Sequence, residues 1–384
     1  MGCRAHRGVK ALIAGGGIGG LATAIALRHA GLQAEVLERS RELREIGAGL
    51  MLWPNGTRPL LALGVEVKAM PVERITFCDW HGRPLLEVPL AQISERYGSP
   101  VAFVHRADMQ SALASRLGEG GVRFGAEVVG FAEDHEQVQV SLRDGSVASG
   151  DLLIGADGLR SVVRRQVVED GDPVYSGSTV WRGIVGNERV GLDSHRGVNW
   201  IGRGSEFLAF NLAGDRVYWA CVTKEPRGEH PGPGGHKQDV LDRFGGWVSP
   251  IPALIAATDE RAILRNDMFD RRPVRSWSKG RVTLVCDAAH PMTPNSGQGA
   301  CQALEDAIAL GESLEGALDP AAAFAIYEGR RLKRANRVVS AARQATRAVQ
   351  IESPLLCAIR DGFARWLPRS LVVRMMQDTL GRTS

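Results

Sequence analysis

The chain has 384 residues, 44% hydrophobic and 23% charged, more than one hydrophobic core usually organises, so two connected domains are expected. Six cysteines (Cys3, Cys78, Cys221, Cys286, Cys301, Cys357) show no CxxC pair or metal-ligand spacing, which excludes a zinc module or a disulfide framework and points to a reducing compartment. A net charge of +4, no apolar run near the ~20 residues of a membrane span and no signal-peptide stretch in residues 1–10 together lead to an expected cytoplasmic protein without nucleic acid or integral membrane contact.

Residues 9–14 (VKALIA) read as a short strand ending in the glycine run 15–20. An alanine-rich helical pattern covers 21–30, Gly31 stops it, and 34–37 restart a strand that ends on Glu38. The spacing Gly15, Gly17, Gly20 within a strand–turn–helix–strand unit is a dinucleotide-binding fingerprint. The first glycine makes the tight turn, the second lets backbone approach a pyrophosphate, and the third lets helix and strand pack closely. The helix N-terminus directs partial positive charge at the phosphates, and Glu38 stands where an acid accepts from a ribose 2′-hydroxyl. This unit alone leaves NAD and FAD open, with a Gly-rich turn of another α/β fold as the bland alternative.

Residues 152–154 form a further strand running into Gly155-Ala156-Asp157-Gly158. From 173 to 275 no nucleotide motif occurs; strand patterns cover 179–185, 197–201, 207–212 and 216–223, then a Pro/Gly-rich connector (225–235) and a helix near 239–247. Trp181, Trp200, Phe210, Tyr218 and Trp219 lie in these strands. They are read as an aromatic roof over an apolar substrate pocket, against ordinary core packing. Arg182, Arg203 and Tyr218 are the polar candidates for orienting a substrate, with Arg203 and Tyr218 put forward as catalytic.

Residues 281–286 (RVTLVC) read as a strand leading into Asp287-Ala288-Ala289-His290, a turn-rich stretch at 291–299 (PMTPNSGQG), and a helix over 300–310 bearing Glu305 and Asp306. From Arg330 onward eleven arginines and one lysine face Glu352, Asp361 and Asp378, a net of +9 that leaves −5 for the rest of the chain. Leu355, Leu356, Ile359, Phe363, Trp366 and Leu367 recur there at helical spacing. That side is expected to pack on the body with the arginines in solvent, a surface or lipid contact being the alternative.

Five segments in order resemble the single-component (class A) FAD monooxygenases that hydroxylate aromatic rings, the family of salicylate hydroxylase, urate hydroxylase and zeaxanthin epoxidase. They are the glycine fingerprint, 45–55 (EIGAGLMLWPN), His105-Arg106-Ala107-Asp108, the Asp157-Gly158 turn, and 286–299 (CDAAHPMTPNSGQG). The resemblance implies FAD as cofactor, with Gly15, Gly17, Gly20 and Glu38 toward its adenosine half and Arg39 and Ala48 also in contact with it. Arg106 would also contact FAD, and Asp157 would serve the pyrophosphate region and the transient nicotinamide donor. Asp287 would hold the ribityl hydroxyls, while Pro294, Gly297 and Gly299 would border the isoalloxazine ring. The family usually has glycine where this chain has Cys286, whose side chain is expected to point into the sheet. His290 is expected to be structural, and Thr293 to lie beside the ring.

The implied fold is α/β: a Rossmann-type FAD-binding domain (1–72, 98–172, 276–330), an interleaved substrate domain on a mainly antiparallel sheet (73–97, 173–275), and C-terminal helices (331–384). The implied reaction uses NADH or NADPH and O2 to hydroxylate or epoxidise an aromatic or lipophilic small molecule through a flavin C4a-hydroperoxide, without a metal, in a monomer or homodimer. The alternatives are another flavoenzyme on this scaffold, a halogenase or prenyl reductase, or a non-catalytic FAD-containing binding protein.

Overall fold

The structure is a computed structural model that describes residues 8–43, 48–228 and 232–380. Glu45, Ile46 and Gly47 of the second family-like segment, and Cys3, lie outside the described residues. Lys10–Ala14, Ile18–His29 and Gln33–Glu38 form the strand–helix–strand unit the glycine spacing calls for. Its strands sit centrally in a six-stranded sheet ordered Ser278–Lys279, Val282–Leu284, Leu152–Gly155, Lys10–Ala14, Gln33–Glu38, Val122–Phe124. All neighbours pair in parallel except the first two. Leu12, Ile13, Leu153 and Ile154 are fully buried because helices cover both faces of a parallel sheet.

One covering helix, Gly299–Leu314, packs on Ile18–His29 at close range. Gly311 permits this: a Cβ there would stand 3.1 Å from the Ala26 carbonyl oxygen. Helix Pro320–Val349 starts on Asp319, whose side chain accepts from the Ala321 N–H. It buries Phe324, Tyr327, Arg331, Ala335, Val338, Ala342 and Thr346, a stripe at three- and four-residue steps that matches the helical repeat.

The second sheet has seven strands, ordered Leu264–Asp270, Val174–Gly186, Arg216–Lys224, Ser205–Leu212, Arg196–Ile201, Arg74–Asp79, Pro84–Pro89. It is antiparallel apart from the Arg196–Ile201/Arg74–Asp79 pair. Its pleat sends successive side chains to opposite sides. Trp181, Trp200, Phe207 and Trp219 point away from the nucleotide sheet and build a second core with Phe244, Leu254 and Ile255 of helices Gly235–Phe244 and Ile251–Ala257. Phe207 stacks on Trp219 at 5.5 Å, and the Trp219 indole donates to Thr258 at 2.8 Å. These three tryptophans are therefore core, not pocket roof; Phe210 and Tyr218 alone of the five aromatics face the nucleotide domain.

The C-terminal expectation needs a second correction. In helix Pro354–Trp366, Leu355, Leu356, Ile359, Phe363 and Trp366 lie in solvent, Trp366 at 87% exposure, while the opposite side of the helix, with Cys357 buried, meets the body. The amphipathic pattern is real, but its apolar side is the outer one.

Candidate functional site

The fingerprint glycines are small for different neighbours. Gly15 has φ +104°, and a Cβ there would lie 2.5 Å from the Ala156 carbonyl oxygen; on Gly20 it would lie 1.9 Å from the Gly15 carbonyl oxygen. On Gly17 it would meet nothing within 4 Å, so this glycine borders open space. Helix Ile18–His29 begins there without a side-chain cap, leaving its first N–H groups free for an anion. Glu38 rims the turn, accepting from Gly16 N–H at 2.6 Å and Ser40 N–H at 2.8 Å, with Arg39 exposed beside it. Gln110 donates to the Gly16 carbonyl at 2.8 Å, tying helix Arg106–Leu117 to the loop. Arg106 opens that helix, and its N–H donates to the carbonyl of buried Ala48 at 2.9 Å.

The strand over 281–286 is shorter than its sequence suggests. It ends at Leu284, and Cys286 opens a four-residue helix, Cys286–Ala289, at φ +58°. A left-handed backbone favours glycine, which gives the family's usual residue a physical reason. The thiol does not enter the sheet. It lies in the seam between helices Ile18–His29 and Gly299–Leu314, where a Cβ on Gly19 would come within 1.9 Å of Sγ. The next residue, Asp287, is solvent-exposed yet packed round by enough protein to raise its carboxyl, against the pull of His290 and Arg106. Burial lowers the Arg106 guanidinium, Asp287 raises it and Arg182 lowers it, so these three charges share one region.

The Pro294–Ser296 turn closes on Gly297 at φ +60°, and the 16-residue helix Gly299–Leu314 then starts without a side-chain cap. A Cβ on Gly299 would again meet nothing within 4 Å. Around this end three buried polar atoms lack partners: Trp53 Nε1, Asn55 Oδ1 and Gln298 Nε2. Two uncapped helix ends, two glycines facing open space and a set of orphaned polar atoms suit a long ligand with an anionic middle and a hydrogen-bonding ring. FAD has that shape and chemistry.

Two sequence candidates serve the scaffold. The Asp157 carboxylate accepts from Ser161 Oγ at 2.5 Å and Val162 N–H at 2.7 Å, which stabilises the start of helix Val162–Val167 and fixes the turn beneath Gly15. That carboxylate, half-buried, is thus engaged in holding the turn. His290 Nε2 lies 2.5 Å from Asp306, which also binds Arg331 and the Cys286 N–H. The buried Arg331 further reaches Glu305 and Gln302. The cluster clamps 286–290 to two long helices.

On the side of the seven-stranded sheet facing the nucleotide domain, register defines rows of neighbours. Val180, Val222, Glu206 and Ile201 form one; Arg182, Ala220, Leu208 and Asn199 the next; Ile184, Tyr218 and Phe210 the third. Phe210 stacks on Phe103 at 3.8 Å, and both Phe210 and Tyr218 close on Gly49, where a Cβ would come within 2.7 Å of either ring. Burial pushes the Tyr218 phenol up to about 12, so it stays protonated and can donate. Arg182 donates to Asn266 at 2.6 Å. Arg203 is off this wall: it is exposed in the turn joining Arg196–Ile201 to Ser205–Leu212, because the pleat ends before it.

A family described as an FAD binding domain matches residues 8–342. The chain belongs to that family. This FAD-binding protein is 37% identical over 366 residues to the aurachin C monooxygenase/isomerase of Stigmatella aurantiaca, covering 94% of both chains. It is 34% identical to an FAD-dependent urate hydroxylase of Klebsiella pneumoniae, covering 88% of this chain and 89% of that one. The crystal structure of Klebsiella pneumoniae HpxO with FAD and uric acid superposes with a TM-score of 0.92 at 32% identity over 98% of both chains. The protein is an FAD-dependent monooxygenase that acts on a small molecule.

Glu206, Asn199 and Asn295, which join the sheet to the Pro294–Ser296 turn through hydrogen bonds, were not singled out from the sequence. Glu206 did carry a signal, as the lone acid in an otherwise uncharged strand (SEFLAFNL). Asn295 carried none, since its role depends on which strand lies across from it.

Proposed function

We propose that this FAD monooxygenase hydroxylates an electron-rich ring of a small, largely apolar substrate held between the flavin and the wall of rows just described. The observation that supports this reading is the wall itself: Val180, Val222, Ala220, Leu208 and Phe210 are apolar, with Arg182, Tyr218, Asn199 and Glu206 set among them. The chemistry that bound FAD supplies is acceptance of hydride from NADH or NADPH and delivery of one atom of O2 to the substrate. The uncapped ends of Ile18–His29 and Gly299–Leu314 would hold the pyrophosphate and the pyrimidine edge of the ring, where negative charge gathers on reduction. Arg106 and Asp287 would fix the chain between them, with Glu38 and Arg39 at the adenosine end. Tyr218, protonated across the neutral range, would donate to a substrate oxygen. The stacked Phe103 and Phe210 and the aliphatic rows would keep water from the reacting atoms. We assign the nucleotide domain to 1–72, 98–172 and 276–330 and the substrate domain to 73–97 and 173–275.

The test is NADH and NADPH oxidation by the purified holoenzyme against phenolic, quinolone and purine ligands, with product masses. Stimulated oxidation with a product gaining one oxygen supports the reading; hydrogen peroxide as the sole product with every ligand overturns it. For the site, Asp287→Ala should purify with most of its flavin lost, measured by the yellow absorbance per protein. A variant as yellow as the parent removes Asp287 from the binding site.

A further inference from the structure

Glu206 is the one acid in strands Val174–Gly186, Arg216–Lys224, Ser205–Leu212 and Arg196–Ile201, and it is 4% exposed. Its row places it on the flavin-facing side, level with Val222 and Ile201. Among the described residues it makes no ion pair. Its partners are two amides: Asn295 donates to Oε1 from the Pro294–Ser296 turn, and Asn199 Nδ2 lies 3.4 Å from Oε2 on the adjacent strand. Asn295 Oδ1 in turn accepts from the Thr346 hydroxyl at 2.9 Å, which fixes the amide's direction.

When ionised, as it is well above pH 7, Glu206 only accepts, so Asn199 aims its NH2 at Glu206 and turns Oδ1 away. That Oδ1 is buried without a partner. Asn199 shares a row with Leu208, Ala220 and Arg182 on the same side of the sheet. Two lone-pair positions on Glu206 and the whole of Asn199 Oδ1 are thus acceptors in search of a donor, beside the turn that borders the flavin. Lacking a cation partner, the Glu206 carboxyl is pushed by burial up to about 7, with Asn199, Asn295 and the more distant Arg360 pulling it back.

We propose that Glu206 and Asn199 are the specificity subsite of the substrate pocket, a pair of acceptors that selects uncharged ring compounds bearing an N–H or O–H donor and rejects aromatic carboxylates. The proposal rests on the substrate lying against this wall, as in the reading above. A ring N–H satisfies the orphaned acceptor, whereas a second carboxylate meets like charge from ionised Glu206 in a water-poor site, with Arg182 across the wall and Arg360 as the nearby cations among the described residues. By strand spacing Arg182 is about 12 Å from Glu206.

The test uses the FAD-loaded enzyme well above pH 7, where Glu206 is ionised, and ligand binding read as perturbation of the flavin absorbance, a readout independent of turnover. The probes are 4-quinolone, neutral with a ring N–H, and 3-hydroxybenzoate. The parent should favour 4-quinolone by about 100-fold or more, and Glu206→Gln should shrink that ratio by about tenfold or more, chiefly by admitting the benzoate. Asn199→Leu should weaken 4-quinolone alone. Because a ratio cancels general damage to the flavin turn, a Glu206→Gln variant that weakens both probes equally overturns the proposal. So does a parent that binds 3-hydroxybenzoate as tightly as 4-quinolone, or that binds neither. If instead the binding ratio behaves as expected but no ligand gains oxygen, the subsite stands and the hydroxylation reading falls.

Discussion

Gly17→Ala separates the cofactor's demand from the fold's. Gly17 has φ −72° and ψ 178°, a conformation alanine adopts freely, and its added Cβ would touch no protein atom within 4 Å. The apoprotein should therefore gain about 0.4–1 kcal/mol, because alanine has fewer unfolded conformations to lose. The same methyl occupies the space through which a pyrophosphate approaches the uncapped helix end. Loss of one hydrogen bond to a charged oxygen, about 1.5–3 kcal/mol, corresponds to FAD binding weakened roughly 10- to 100-fold. Urea unfolding of the apoprotein and titration of FAD fluorescence quenching measure the two effects separately. Gly20→Ala is the control: its Cβ would lie 1.9 Å from the Gly15 carbonyl oxygen, so it should lose stability and flavin together. If Gly17→Ala binds FAD within about twofold of the parent, less than 0.5 kcal/mol, the phosphates do not pass over Gly17.

Three further expectations follow from packing and charge. Cys286→Gly removes a non-glycine residue from φ +58°, worth about 1–2 kcal/mol of strain, against about 1 kcal/mol of lost thiol burial. Its urea midpoint should hold or rise, and a fall of more than about 1 kcal/mol would show that the strained backbone is not what limits this site. Asp306→Ala strips a partner from buried Arg331 and His290 and should cost about 3–5 kcal/mol. Burial alone would raise the Asp306 carboxyl, but His290 and Arg331 hold it at about 2. Its stabilising share is thus complete above the ordinary 3.8 and lost as pH falls toward 2, so acid unfolding of the variant should be less steep across that window. Trp366→Gln, at 87% exposure, should change stability by less than about 0.5 kcal/mol, whereas Trp219→Ala in the second core should cost about 3–5 kcal/mol; comparable losses in thermal unfolding would mean that Trp366 is covered in solution.

Local sterics made the nucleotide half readable. Glycine spacing, a strand on either side and a terminal acid impose one turn, and Gly15, Gly17, Gly20 and Glu38 sit together as that logic requires. The second sheet shows where such reading stops. Alternation in 205–212 and 216–224 marks two faces but not which one meets the nucleotide domain, so Trp181 and Trp219 are as eligible for a pocket as Phe210 and Tyr218 on sequence alone. Arg203 falls in the turn, two residues beyond the last partnered strand row, and so off the wall. Helix 354–366 shows the same gap: periodicity establishes an apolar side but is silent on whether protein lies against it. Asp157 and Asp287 both precede or follow a turn in nucleotide motifs, and only tertiary contacts show that one is committed to backbone N–H groups while the other remains open.

Gly19 and Cys286 occupy one volume between them, with 1.9 Å separating the thiol from where a methyl on residue 19 would sit. Any exchange of side chains across this seam must therefore follow a fixed order. Position 286 can be emptied first, because glycine suits its backbone, and residue 19 can then grow. Enlarging residue 19 first forces two atoms into the same space at the uncapped start of helix Ile18–His29. A substitution harmless in a relative with glycine at 286 would be harmful here, so a library that varies one position at a time would record residue 19 as immutable.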